Sequence, residues 1–315
     1  MHSVGYIGSA GDGTVARQLL SRGTCQLKLW WPEQSPQDIE TFNGVEVDLE
    51  ELAECPLIVI ATAIKDCRTA ARRLGNFISG RQVLVHSIRS LEEGTLKSAS
   101  TILGEETPTR RLGFVTGPMQ LQDITDEKPA AAVCASRFPE VHDLIDDAMS
   151  SSCFRLYRSR DLRGAEFAAA YGRLIALMSG AADGLGLGTS LQATLFARGL
   201  AEMSRFVEAI GGNHRTPFGL AGAGNLYVDT VSRHNLDFQM GHFLTQEPER
   251  GAPELAQAFD EPARELLHLL SAFEEVAETH DLHLHLLNAT DALLYGGISI
   301  IDAVNHLMTL PVLDE

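Results

Sequence analysis

Residues Val4–Leu20 read VGYIGSAGDGTVARQLL. Val4–Ile7 is a short apolar run, Gly8-Ser9-Ala10-Gly11-Asp12-Gly13 is a turn, and Thr14 opens a stretch with helical spacing. The order is strand, glycine turn, helix. Small residues at such a turn let the backbone approach a pyrophosphate, and the helix N-terminus faces it. The dinucleotide fingerprint G-x-G-x-x-G here becomes G-x-A-x-x-G, with Ala10 in place of the middle glycine. Taken alone, a generic strand-to-helix turn explains these residues equally well.

The neighbouring sequence decides between the two. Gln26–Trp30, Pro56–Ala61 and Arg81–His86 read as strands, the second of them wholly apolar, and helical patterns lie between them, as at Asp66–Ile78. Unbroken apolar strands alternating with helices imply a parallel, doubly wound sheet. Phe114–Pro118 ends another strand in a turn, and Pro129–Ala135 and Arg155–Ser159 complete the set. After Leu162 the pattern is helical throughout. The expected fold is an α/β N-terminal Rossmann-like doubly wound sheet over residues 1–161, followed by an all-α C-terminal domain over 162–315. That second part opens on a helical hairpin. Phe167, Tyr171, Leu174 and Met178 form one apolar stripe, Leu195, Leu200, Met203, Phe206 and Ile210 form another, and Gly184, Gly186 and Gly188 make the bend between them.

The chain has 315 residues, enough for two domains, and a formal net charge of -17. So acidic a chain argues against nucleic acid and anionic membranes as partners, while a local basic pocket for a small anion remains compatible with it. Five cysteines without a CxxC pair point to reduced thiols in a cytoplasmic protein. The N-terminus lacks a signal-peptide pattern, and no apolar run approaches the roughly 20 residues of a membrane span. His280, His283 and His285 are not spaced as ligands on one helical face, so no metal site is expected.

Several segments, in order, resemble the NAD(P)-dependent glycerol-3-phosphate dehydrogenases. They are the Gly8–Thr14 turn, Leu29-Trp30, Gly117-Pro118, Arg155–Tyr157, Asp183-Gly-Leu-Gly-Leu-Gly188, Arg198-Gly-Leu-Ala-Glu-Met203, Leu220-Ala-Gly-Ala-Gly224, Ser232-Arg233 and Leu307-Met308. The resemblance implies a Rossmann domain, a helical substrate domain, NAD or NADP as cofactor, a small anionic substrate and a homodimer. It implies cofactor contacts at Gly8, Ser9, Ala10, Gly11, Asp12, Gly13, Trp30, Arg233 and Glu261. It implies substrate contacts at Arg89, Gly117, Met119, Ser232, Arg233, His234 and Asn235. The acidic residue that the dinucleotide fingerprint expects at the end of the second strand, for a ribose 2′-hydroxyl, is missing here, where Trp30, Trp31 and Pro32 stand, so NAD and NADP remain open. The two tryptophans either stack on adenine or close the edge of the sheet.

The departures from the family pattern bear on chemistry. The resemblance places a catalytic lysine and an asparagine where Gly172 and Arg173 stand, and a second lysine where Arg89 stands. The family aspartate becomes Asn225, a threonine becomes Asp229, and the serine of a glycine-proline-serine turn becomes Met119. Reducing a ketone creates an alkoxide that needs a proton or fixed positive charge. Glycine supplies neither, and arginine supplies charge but does not release a proton. Asn225 fits the loss of the lysine, because a carboxylate there would be buried without its partner. Arg173, Asn225 and Asp229 are the expected catalytic set, with an Arg173–Asp229 ion pair restoring charge balance. His86, His234 and Tyr171 are the other candidate proton donors. The competing reading is a dinucleotide-binding pseudoenzyme that acts as a sensor or partner protein.

Overall fold

The structure is a computed structural model. It describes residues 3–8, 14–23, 25–32, 44–247, 250–296 and 301–302. The chain forms two compact units, Met1–Phe167 and Ala168–Glu315. The division falls inside a helix that begins at Leu162.

The first unit contains strands β1 (Ser3–Gly8), β2 (Gln26–Trp30), β3 (Gly44–Glu46), β4 (Leu57–Ala61), β5 (Val83–His86), β6 (Leu112–Thr116), β7 (Ala130–Ala135) and β8 (Phe154–Ser159). They form one sheet in the order β3-β2-β1-β4-β5-β6-β7-β8. The order reverses on either side of β1, which pairs with β2 through Ile7–Trp30 and with β4 through Gly8–Ala61. The sheet is not wholly parallel as expected, because β6 and β7 run antiparallel, with Val115 opposite Cys134. The short strand β3 also escaped the sequence reading, since Gly-Val-Glu carries too little apolar pattern to mark a strand.

β4 explains why these strands read as apolar runs. Leu57, Val59 and Ala61 pack into one core, and Ile58 and Ile60 pack into another on the opposite face. The first face is covered by α1 (Thr14–Ser21), through Ala16, Leu19 and Leu20. The second is covered by α2 (Leu49–Leu52), α3 (Ile64–Gly75) and α4 (Ala99–Glu106). Ile124 of α5 (Leu121–Thr125) and Val141, Ile145 and Met149 of α6 (Pro139–Met149) join the first face. The cause of α2's start is clear: Asp48 accepts from the backbone N–H of Glu51 at 2.8 Å.

The second unit is helical. α7 (Leu162–Gly184) and α8 (Gly188–Ala209) are joined by a turn in which Gly186 and Gly188 take φ of 65° and 82°, a region that favours glycine. Then come α9 (Asn225–Val231), α10 (Leu236–Leu244), α11 (Ala252–Phe259), α12 (Glu261–Thr279) and α13 (His285–Leu294). From Ala165 to Ala182, α7 is buried on every side, more than the single stripe expected of it. Tyr171, Phe206 and Phe273 form its aromatic centre, with ring centroids 4.8 to 5.3 Å apart.

Candidate active site

In the first unit the carboxyl ends of β1 and β4 meet at the point where the strand order reverses, the place where open α/β sheets bind ligands. Gly8 closes β1, and a Cβ there would collide with the ring of Tyr6. Ser9, Ala10, Gly11, Asp12 and Gly13 lie outside the described residues. Just beyond β4, Thr62 is 2% exposed, and its hydroxyl has no hydrogen-bond partner among the described residues. Next to it, α3 begins after Ala63 without a side-chain cap. A buried hydroxyl lacking a partner is costly. One placed beside an uncapped helix start suits an anionic, hydrogen-bonding ligand, so these residues fit a dinucleotide. The sequence reading missed Thr62, whose signal was only its place at the end of an apolar strand.

Both tryptophans pack in the cores of the first unit, and β2, which ends at Trp30, is not an edge strand, because β3 lies outside it. Trp30 lies in the core, with the Arg73 guanidinium 4.5 Å from its ring centre. Trp31 packs edge-on to Tyr6 at 5.9 Å. Gly117 has φ of 146°, and a Cβ there would lie 2.9 Å from Ala132 Cα. Met119 is half-buried against the core, and its N–H donates to the Gly117 carbonyl at 2.7 Å. Arg89 is half-buried on the segment after β5.

In the second unit, Gly172 sits buried on α7. A Cβ added there would touch only Met203 Cε at 3.8 Å and Leu226 Cδ1 at 4.0 Å. A side chain can therefore start from this position without displacing the backbone. Beside it, Arg173 donates from Nε to Asp237 at 3.0 Å and from Nη1 to Glu265 at 2.5 Å. Asp237 and Glu265, two carboxylates the sequence reading did not consider, pair with Arg173. Their combined charge exceeds that of the guanidinium. The sequence could not anticipate this, because Asp237 and Glu265 lie 64 and 92 residues away.

Asn225 and Asp229 stand one turn apart on α9, and both are buried. Asn235 donates from Nδ2 to Asp229 Oδ1 at 2.7 Å and accepts from the Phe238 N–H at 2.9 Å, so it caps α10. Between these helices lies the polar cluster. Ser232 is half-buried and its hydroxyl accepts from the His234 N–H at 3.3 Å. His234 is exposed. Arg233 is exposed, with Nη2 3.6 Å from Asp183. Glu261 opens α12 and lies 3.8 Å from Arg264.

Two of the candidate proton donors are otherwise committed. Tyr171 is fully buried and donates to Glu202 at 3.2 Å, and burial raises its hydroxyl well above the usual phenol range. Burial also raises Glu202, a carboxylate that accepts from the Leu286 N–H at the start of α13. His86 is wholly buried and faces Glu166.

Two family models match the chain: the NAD-dependent glycerol-3-phosphate dehydrogenase N-terminus over residues 38–142, and the C-terminus of the same family over residues 161–305. A glycerol-3-phosphate dehydrogenase [NAD(P)+] from Pelotomaculum thermopropionicum is 30% identical over 326 residues, covering 97% of this chain and 93% of the relative. One from Sinorhizobium fredii is 30% identical over 275 residues, covering 86% and 80%. The fold matches the crystal structure of a glycerol-3-phosphate dehydrogenase from Coxiella burnetii with a TM-score of 0.86 at 22% identity, covering 98% of this chain and 99% of that one.

Proposed function

The chain belongs to the NAD-dependent glycerol-3-phosphate dehydrogenase family, and on that premise we propose that it is an NAD(P)-dependent oxidoreductase whose acid–base group is Asp229. Hydride passes between the nicotinamide and the secondary alcohol carbon of a small phosphorylated hydroxy substrate. Glycerol 3-phosphate, with dihydroxyacetone phosphate as its oxidised form, is the first to test. The cofactor, NAD or NADP, supplies the hydride acceptor when bound. Gly8, Thr62, Arg233 and Glu261 are its proposed contacts.

The observation that carries the assignment of Asp229 is its buried 2.7 Å bond with Asn235. When alcohol is oxidised, a proton leaves the hydroxyl as hydride leaves the carbon. A carboxylate accepts that proton and an arginine does not. Gly172 has no side chain, Arg173 is neutralised by Asp237 and Glu265, and Tyr171 is sealed against Glu202. Asp229 is a buried carboxylate whose orientation Asn235 fixes. Asn225, one turn earlier, presents an amide donor suited to a developing alkoxide. Arg89, Gly117, Met119, Ser232, His234 and Asn235 are the proposed substrate contacts, with Arg89 binding the phosphate.

The test is nucleotide-dependent turnover. Purified protein is mixed with NADH or NADPH and dihydroxyacetone phosphate, and nicotinamide oxidation is followed by absorbance. Loss of that turnover in Asp229→Asn, with nucleotide affinity kept, supports the assignment; equal turnover removes it. A cytoplasmic homodimer belongs to the same proposal, and light scattering on the purified chain tests the dimer. Among the described residues no helix is long and apolar enough to cross a membrane.

A further inference from the structure

Between β5 and α4 the chain makes a detour. Leu91 bridges Ser98 in antiparallel fashion, and the Glu92 N–H donates to the Lys97 carbonyl at 2.9 Å. Residues 91–98 thus fold back on themselves. What remains is the short span from Ser87 to Ser90, which carries Arg89.

Both ends of this span converge on one carboxylate. At one end, His86 Nε2 lies 3.0 Å from Glu166 Oε1, with the N–H poorly aligned. His86 Nδ1 accepts from the Ile88 N–H at 3.3 Å, which puts the ring proton on Nε2, towards Glu166. Its ring stacks on Phe114 at 4.8 Å. At the other end, Glu166 Oε2 accepts from the hydroxyls of Ser98 at 2.9 Å and Ser100 at 2.7 Å. Oε1 accepts from the Ser100 N–H at 3.0 Å. Ser98 sits at the N-cap of α4 but makes no capping bond to its own helix, so Glu166 takes over that task.

Glu166 is 4% exposed. A buried carboxylate is tolerated only where donors surround it, and here every donor among the described residues belongs to one end of the Arg89 span or the other. We infer that Glu166 is the positioning residue for Arg89: by gripping His86 and the start of α4 together, it fixes where the guanidinium stands. The functional part of this rests on the reading that Arg89 binds the substrate phosphate.

Two measurements on Glu166→Gln test it. The first is amide hydrogen exchange, which needs no activity. The variant keeps the side-chain volume and loses the charge, so the amides of Ile88, Leu91 and Ser100 exchange about tenfold faster or more, while β1 and β4 keep their protection. The second is steady-state kinetics in a double-mutant cycle with Arg89→Ala. Glu166→Gln alone raises KM for glycerol 3-phosphate about tenfold and leaves kcat within about threefold. In the Arg89→Ala background it adds less than about twofold, because its effect runs through Arg89. Unchanged exchange in 87–100 overturns the positioning role, as does a KM effect that multiplies in full with that of Arg89→Ala. His86→Gln, which keeps a donor towards Glu166, serves as a second variant and shows a smaller rise in KM; an equal or larger rise contradicts the geometry. If the wild-type protein turns over no phosphorylated substrate, the proposed function fails, and the exchange result still decides whether Glu166 holds the span.

Discussion

Arg173 donates to Asp237 through two nitrogens at once, from Nε to Oδ2 and from Nη2 to Oδ1, each at 3.0 Å. Glu265 takes Nη1. α7, α10 and α12 are tied together inside the helical unit by this one guanidinium. Removing it leaves a buried carboxylate, Asp237, and a half-buried one, Glu265, without this partner. Arg173→Met therefore costs about 3–5 kcal/mol of unfolding free energy, read as a lowered urea midpoint. A loss under about 1 kcal/mol, together with a collapse of kcat, makes Arg173 catalytic instead.

Gly172 offers a test of how the site was rebuilt. Its side-chain space is bounded by Met203 Cε and Leu226 Cδ1 at ordinary contact distances. Gly172→Lys gains helix propensity of about 0.5–1 kcal/mol and buries an ammonium without a carboxylate partner. Asn225→Asp supplies a carboxylate on α9. The double variant turns over dihydroxyacetone phosphate at least about tenfold faster than Gly172→Lys alone. Equal rates in the two variants show that position 225 no longer serves position 172.

Glu274 gives the stability a pH dependence. Burial, with the Asp291 and Glu278 carboxyls nearby, raises it from the ordinary 4.5 to about 7. Tyr295 is raised as well, by burial first and then by Asp291 and Glu274. A carboxyl whose folded value lies above its unfolded one binds its proton more tightly when folded. Its contribution is then complete below about 4.5 and is lost as pH rises through about 7. The urea midpoint therefore falls between pH 5 and pH 8, and Glu274→Gln flattens that fall. A variant whose midpoint follows pH as steeply as the wild type removes Glu274 as the cause.

The sequence carried the scaffold more fully than the site. β4 was legible because both faces of the sheet are covered, which leaves an unbroken apolar run. β3 was not legible, because Gly44–Glu46 pairs with β2 along an edge and buries little. The absent lysines were legible as Gly172 and Arg89. The partners of Arg173 were not, because Asp237 and Glu265 arrive through helix packing from 64 and 92 residues away. Asn235 also caps α10 and bonds to Asp229, contacts visible only once α9 and α10 are placed. Glu166 and Thr62 gave no signal beyond their positions at element ends.

The account turns on whether Asp229 moves the substrate proton. The direct measurement is kcat for nicotinamide-dependent reduction of dihydroxyacetone phosphate by the wild type and Asp229→Asn, with the nucleotide Kd measured on both. The account predicts turnover by the wild type and a fall of about 100- to 10,000-fold in kcat for the variant, with Kd within about twofold. Tight nucleotide binding by a wild-type protein that reduces no small phosphorylated or carboxylated ketone contradicts it, and so does a variant that turns over as fast as the wild type.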